Sequence, residues 1–374
     1  MDNLTTDFSR HVYCLFGLPF DAVSLEQAAE IVEQAVRHRQ SCFFSTPNLN
    51  FLIGCMHDEK FRNSVIRSNL SLADGMPLVW LAKLVGVPIM ERVAGSNLFD
   101  ALWEKKGNPL SVYFFGGADG VAKQAHQRLN SVNTGLVSVG YYSPGFASVT
   151  ALSKPAIIKD INTSGADFLV VALGAKKGQE WIEHNMSRLN IAAVSHLGAV
   201  VNFVANTISR APALLQRIGL EWLWRIKEEP PLWKRYLSDG WALIKLLLFR
   251  VIPLALTRLW YSKTQMPLEN EITVINESDT TTLKLSGNWS STNRSILVKT
   301  CIMITKVPEH VCIDMENVQY IDSSIIALLM LLYGHQTKIG RKFKIISASP
   351  KVCLLLRLNC ASFLNGGFNS EVQS

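Results

Sequence analysis

Between residues 11 and 197, short apolar runs alternate with longer amphipathic stretches, and this alternation limits the possible folds more than any other property of the chain. Runs at 11–16, 41–45, 112–115, 136–141, 168–173 and 192–197 have the length and the β-branched or aromatic content of strands. Helical stretches separate them: one opened by the capping-box pattern Ser24-Leu25-Glu26-Gln27 with an Ile31, Val32, Ala35, Val36 stripe, then 51–66, 118–129, 154–163 and 179–189. A strand followed by a helix, repeated, predicts an α/β fold with a mainly parallel, Rossmann-like sheet covered by helices.

In such folds chemistry sits on the loops beyond the carboxyl ends of the strands. Three loops stand out. Ser71-Leu72-Ala73 reads as a strand end, with Asp74-Gly75 directly after it. Arg92 follows eighteen residues on, before a helix expected to be capped by Ser96. Thr46-Pro47-Asn48 follows the run at 41–45. Two strand-to-helix joints are phosphate-binding candidates, because backbone N–H groups at a helix start favour anions. One carries Gly116-Gly117; the other runs from Leu173 to Trp181 and contains Lys176, Lys177 and Gln179. From the residues alone, the glycines serve tight helix–sheet packing equally well. His196 has no Ser or Cys partner in a recognisable motif and reads as a structural or binding histidine.

Thr-Pro-Asn at 46–48, Ala-Asp-Gly-Met-Pro at 73–77 and Glu-Arg-Val-Ala-Gly-Ser-Asn-Leu at 91–98 resemble, at these separations, the WecG/TagA/CpsF family of bacterial glycosyltransferases. The similarity runs from about residue 11 to about residue 240. It implies a Rossmann-like sheet of the GT-E type and sugar transfer from a nucleotide diphosphate to a lipid-linked acceptor. By the resemblance, Asp74 is the catalytic base, with Thr46, Asn48, Arg92, Gln179, Gly116 and Gly117 at the substrates. The Tyr141–Phe146 stretch is similar to the family's G-Y-x-x-P-F loop, so Tyr141 is expected to face a uracil ring. Lys176 stands where the family has proline, Asn202 where it has aspartate and Asn206 where it has glycine. No D-x-D pair is found in this part of the chain, so neither a metal nor a cofactor is expected, and cations and backbone dipoles are left to stabilise the leaving diphosphate.

Between residues 210 and 258 lie nine Lys/Arg, including Arg210, Arg225 and Arg235, with five of the nine Trp between 222 and 260. Trp beside Arg suits a membrane interface, where the ring sits at headgroup level and the cation meets phosphate. This segment resembles the family's C-terminal appendage, which closes over the active site and supplies arginines. Residues 241–261 are nearly apolar but carry Lys245, Arg250, Arg258 and Pro253, which favours a helix lying in the interface over a spanning one. Net charge +7 agrees with anionic partners. The Trp-rich interleaving fits lipid better than nucleic acid.

Composition shifts at 262–267. Beyond it, strands near 281–285 and 311–315, a helix from Asp322-Ser323-Ser324 to Lys338 and the continuation Ser349-Pro350-Lys351-Val352 resemble a STAS domain. In that family the serine after the aspartate is a phosphorylation site, here Ser323, and the domain docks a protein partner. The expected domains are therefore 1–208 for the glycosyltransferase, 209–262 for the basic helical appendage and 263–374 for the STAS-like domain. Seven scattered Cys without C-x-x-C, and an N-terminus without a basic and apolar leader, predict a cytoplasmic protein. The expected activity is inverting, metal-independent transfer from a UDP-sugar to a polyprenyl-diphosphate-linked acceptor at the inner face of the membrane. The alternative is a non-catalytic nucleotide sensor signalling through the STAS domain.

Overall fold

The computed structural model describes residues 6–264 and 269–366. Strands β1 (Val12–Leu15) and β2 (Leu18–Asp21) form an antiparallel hairpin outside the main sheet. The expected first strand of the parallel sheet is therefore half of a hairpin, turned at Phe16-Gly17. Both turn residues have positive φ, and a Cβ at Gly17 would stand 2.9 Å from the Cys360 carbonyl.

The main domain continues with α1 (Leu25–Arg37), β3 (Cys42–Ser45), α2 (Leu49–His57), α3 (Glu59–Ile66), β4 (Leu70–Ser71), α4 (Met76–Val85), α5 (Gly95–Glu104), β5 (Leu110–Gly116), α6 (Val121–Leu129) and β6 (Leu136–Tyr142). Next come α7 (Val149–Leu152), α8 (Pro155–Thr163), β7 (Phe168–Ala172), α9 (Ala175–Asn185), β8 (Ala193–His196) and α10 (Gly198–Val204). The helix expected at 51–66 is broken at Asp58, whose carboxylate caps α3 by accepting from the Phe61 N–H.

Six strands pair in the order β4-β3-β8-β7-β5-β6, all parallel. Alternation along each central strand feeds two cores. Val112, Phe114, Phe168 and Val170 pack under α1, α5, α6 and α10; Tyr113, Phe115, Leu169 and Val171 pack under α7, α8 and α9. Both faces being apolar explains why these strands read as continuous hydrophobic runs.

The appendage consists of α11 (Ala213–Arg217), α12 (Glu221–Glu228), α13 (Leu232–Leu246) and α14 (Ile252–Thr264). A π-helical turn, Leu247–Val251, joins α13 to α14 without interruption. Pro253 supplies the cause: it lacks an N–H and crowds the carbonyl four residues back, and a widened turn accommodates both effects. The stretch at 241–261 is thus part of one longer bent helical run. Leu246, Val251 and Leu254 face the core, while Trp241, Ile244, Leu248, Phe249, Ile252, Leu256 and Trp260 face outwards. Among the described residues no helix is long and apolar enough to cross a membrane.

The C-terminal domain holds β9 (Glu271–Glu277), β10 (Thr280–Trp289), α15 (Arg294–Ile304), β11 (His310–Ile321), α16 (Ser323–Lys338), β12 (Phe343–Ala348) and α17 (Pro350–Leu358), with sheet order β12-β11-β10-β9. Strand β9 has no counterpart in the sequence reading. Gly287 and Asn288 form a bulge within β10, with Gly287 at φ 85°.

One hydrophobic core runs through both domains. The β1–β2 hairpin, α2, α3 and α4 share it with α16 and α17. In α16, residues 324–332 and 334–336 are buried. Gly334 permits this contact, since a Cβ there would stand 2.8 Å from Ile66. Arg294 donates to the Phe8 and Arg10 carbonyls, and Asn63 donates to the Tyr333 hydroxyl across the same boundary.

Candidate active site

A cleft of about 560 Å³ lies over the carboxyl ends of the three adjacent strands β4, β3 and β8 and is roofed by the appendage. Asp74, Thr46 and His196 each follow or end one of these strands and line it. Backbone bonds tie the loops together: Asp74 N–H donates to the Pro47 carbonyl, Leu72 to Ser45, and Val93 to Ala73, each at 2.9 Å. Asp74 and Arg92 are thereby held on either side of the β4 end.

Gly95 makes the close packing possible. A Cβ there would stand 2.3 Å from Leu197 and 3.3 Å from Thr46. Helix α5 begins at Gly95, with Ala94 as N-cap and no side-chain cap, so Ser96 does not cap it as expected and instead lines the cleft. The first residues of α4 (Met76) and α9 (Ala175) also line the cleft, and no side chain caps either helix. Uncapped first-turn N–H groups are available to an anion.

Burial pushes the Asp74 carboxyl up to about 7; Arg92 opposes the rise, Glu221 adds to it, and the Gly95 N–H and Arg225 oppose it. A carboxyl near neutrality can accept a proton at physiological pH and release it again. His196 is also buried, and burial alone pushes it down to about 4, so its ring is neutral near pH 7. Its Nε2 has no partner among the described residues. This geometry favours a binding histidine over a base. Gly178 makes room for the ring, because a Cβ there would stand 2.3 Å from it.

Arg92 is held by the appendage. Its guanidinium pairs with Glu221, and it also donates to Asn97 at 2.9 Å and to Gln216 at 3.2 Å. Arg225 and Arg235 line the cleft; Arg225 pairs with Glu229 and keeps one buried nitrogen, Nη1, without a partner among the described residues. Arg210 pairs with Asp100 and, like Arg225, lies over the Phe203 ring. It flanks the cleft without lining it. Asn48 lines the cleft, but its Oδ1 caps α2 by accepting from Phe51, leaving the amide group for a ligand.

Four expected site residues are elsewhere. Gln179 is 1% exposed, and its amide bonds to the Ser45 hydroxyl at 3.1 Å. It supports the Thr46 turn from beneath the sheet and does not reach the cleft. Gly116 and Gly117 end β5, three strands from β3, roughly 14 Å away at about 4.8 Å per strand. A Cβ at Gly116 would stand 2.5 Å from the Ala172 carbonyl, so that glycine serves the approach of β5 to β7. Tyr141 lies on the edge strand β6 with its ring against His126. Lys176 pairs with Asp58, and Lys177 donates to the Ala147 carbonyl.

The structure adds residues to which the sequence assigned no role. Glu221 and Gln216 hold Arg92. Asp239 on α13 lines the cleft and accepts from Asn50 on α2 at 3.0 Å. Trp80 lines the mouth, packed against Gly219. Each depends on the appendage folding back over the sheet, and no local pattern encodes that. Ser323 is the first residue of α16; Asp322 caps this helix by accepting from the N–H groups of Ser324 and Ile325.

Comparison with known proteins identifies relatives of both parts of the chain. The sequence model of the "Glycosyl transferase WecG/TagA/CpsF family" matches residues 13–255, and that of the "Mlab, STAS domain" matches residues 272–359. An N-acetylglucosaminyldiphosphoundecaprenol N-acetyl-beta-D-mannosaminyltransferase of Bacillus spizizenii is 29% identical over 201 residues, 53% of this chain and 76% of that protein. A protein of the same name from Bacillus subtilis is 28% identical over 227 residues, 60% of this chain and 86% of that protein. The chain is a glycosyltransferase and belongs to the WecG/TagA/CpsF family, with a STAS domain following the catalytic part.

Proposed function

We propose that the protein transfers a hexosyl group, of the N-acetylmannosamine type named for its relatives, from a UDP-sugar to a polyprenyl-diphosphate-linked saccharide. The observation that carries this reading is the Asp74 carboxyl, raised to about 7 at the base of a cleft whose walls carry Arg92, Arg225 and Arg235. The acceptor hydroxyl loses its proton to Asp74 as its oxygen bonds to the anomeric carbon. The bond from that carbon to the diphosphate oxygen breaks, its electron pair leaves with UDP, and the centre inverts. One-step inversion requires the base and the leaving group to stand on opposite faces of the sugar.

The leaving diphosphate is stabilised by arginine cations and by the open first turns of α4, α5 and α9. For Arg92 to take this part, its pair with Glu221 has to loosen. Thr46, Asn48 and neutral His196 bind polar groups of donor or acceptor. Gln179 acts through Ser45 to position Thr46 and makes no substrate contact. Gly116 and Gly117 shape the β5 turn, and Arg210 anchors the appendage through Asp100.

The lipid part of the acceptor accounts for the apolar surface around the mouth. Trp80, Trp222, Trp233 and Trp241 are exposed there, with Lys227 and Lys234 beside them. Such a surface binds the membrane interface without crossing it, at the leaflet that carries the acceptor, here taken as the inner face. The STAS domain offers its sheet and α15 to a protein partner. Phosphate on Ser323 would add negative charge beside the Asp322 cap and alter that surface. The test is a screen of UDP-sugars on the purified full chain with a short-chain lipid-diphosphate N-acetylglucosamine acceptor. Turnover producing UDP and a β-linked disaccharide is expected, and no turnover with any UDP-hexose would refute the reading.

A further inference from the structure

A second cavity, of about 810 Å³, opens at the end of the sheet opposite to the catalytic cleft. One wall is the start of β3 at Ser41 together with Asn69, just before β4; the other is α16 of the C-terminal domain, with Gly334, His335 and Lys338. Its size lies in the range of cofactor and nucleotide sites.

Of the four cations around it, two are held in ion pairs among the described residues and two are not. Arg10 is answered by Asp21 and Arg67 by Glu183. Lys338 is half-buried and has no carboxylate partner among the described residues, and Arg39 stands exposed at the rim. Burial and the nearby Arg67 both disfavour the Lys338 charge, and Glu183, itself paired with Arg67, favours it. The acids of the lining form no ion pair with Lys338 among the described residues: Asp7 accepts from Ser9, and Glu30 is exposed at the rim. His335 is 7% exposed, and its Nδ1 faces the Thr6 hydroxyl at 3.2 Å while its buried Nε2 has no partner among the described residues. In the tautomer that accepts from Thr6 at Nδ1, Nε2 carries the hydrogen and is a donor, the polarity a phosphate needs.

We propose that this interdomain cavity binds a phosphate-bearing small molecule of nucleotide size, with Lys338 and His335 Nε2 on its phosphate. Because the walls belong to different domains, the ligand holds the STAS domain against the catalytic domain. The site is separate from the catalytic cleft and does not depend on the identity of the sugar donor.

Calorimetric titration of the full chain with ATP and, separately, with inorganic pyrophosphate tests this. Lys338→Met is expected to weaken binding roughly 10- to 100-fold, the effect of losing one charged hydrogen bond. Arg92→Ala, in the catalytic cleft, should leave that binding unchanged. Unliganded Lys338→Met should melt no lower than the natural chain, since it loses only an unpaired half-buried charge, and this verifies folding. Pyrophosphate binding with the same Lys338 dependence supports a site that reads phosphate alone; ATP binding without pyrophosphate binding supports one that also reads the nucleoside. The proposal is overturned if neither probe binds, or if binding survives Lys338→Met unchanged.

Discussion

Replacing Asp74 by asparagine should remove activity and raise stability, with both effects tied to one buried carboxyl. The folded pKa is about 7 against an ordinary 3.8. A raised carboxyl pKa means that folding disfavours the ionised form. Stability is therefore full below the unfolded pKa and is lost as pH climbs towards and through about 7. The difference is about 3 units at 1.36 kcal/mol each, so ionised Asp74 costs about 4 kcal/mol at pH 8. Water in the open cleft screens part of this, and about 2 kcal/mol is a reasonable remainder. An amide in place of the carboxylate avoids the cost, and its oxygen still accepts from the Gly95 N–H. At about 2.1 cal/mol/K of unfolding entropy per residue, a 374-residue chain shifts by about 1.3 °C per kcal/mol, so Asp74→Asn should melt about 2–3 °C higher at pH 8. The gap should close as pH falls and vanish near pH 4. Transfer by the same variant should drop by about 10²- to 10⁴-fold, the usual contribution of a positioned base. Paired melting curves from pH 4 to 8 and one turnover assay measure both. Equal melting at every pH, or retained turnover, would refute the placement of a desolvated base at this position.

Four further outcomes follow from neighbouring contacts. In the natural chain, kcat/KM should rise about tenfold per pH unit below about 7 and level off above it, as required of a base that must be deprotonated. Glu221→Gln should move that half-point to lower pH, because Glu221 raises the Asp74 pKa, whereas Arg92→Ala should move it higher; opposite shifts in the pH–rate profile would contradict the assigned contacts. Gly334→Val should destabilise the whole chain by about 2 kcal/mol, because its Cβ would stand 2.8 Å from Ile66, and denaturant melts would show one transition shifted for both domains. A chain ending at residue 264 would expose the apolar sides of Phe16, Leu18 and Ile66 and should aggregate; a well-behaved active monomer on size exclusion would show that the shared core is dispensable.

The misplaced residues follow a physical pattern. Asp74, Thr46, Asn48 and Arg92 were legible because each stands on a loop that leaves a strand end or packs against one. A parallel sheet puts all such ends on one side. Gly116, Gly117 and Tyr141 satisfied the same local rule, but strand order carried them to β5 and β6, three and four strands from β3. Gln179 occupies a helix beside the right strand and still misses the cleft. The helical phase turns its amide towards Ser45, inside the fold. Ser96 was read as a cap from its residue type, yet the helix and its cap start two residues earlier, where Gly95 has to lie flat on Thr46 and Leu197.

The order of residues alone determined the two-part α/β architecture and the placement of Asp74 on a loop beyond a strand end, because periodicity and strand-end position are local properties of a chain. The tertiary structure decided what local properties cannot reach. It decided strand order, the closing of α11–α13 over the cleft with Glu221 on Arg92, and the burial that lifts the Asp74 carboxyl to about 7. It also decided that the C-terminal domain shares a core with the N-terminal hairpin and encloses a second cavity with the catalytic domain. These features arise from contacts between residues tens to hundreds of positions apart. Desolvation and charge pairing exist only once those residues are brought together.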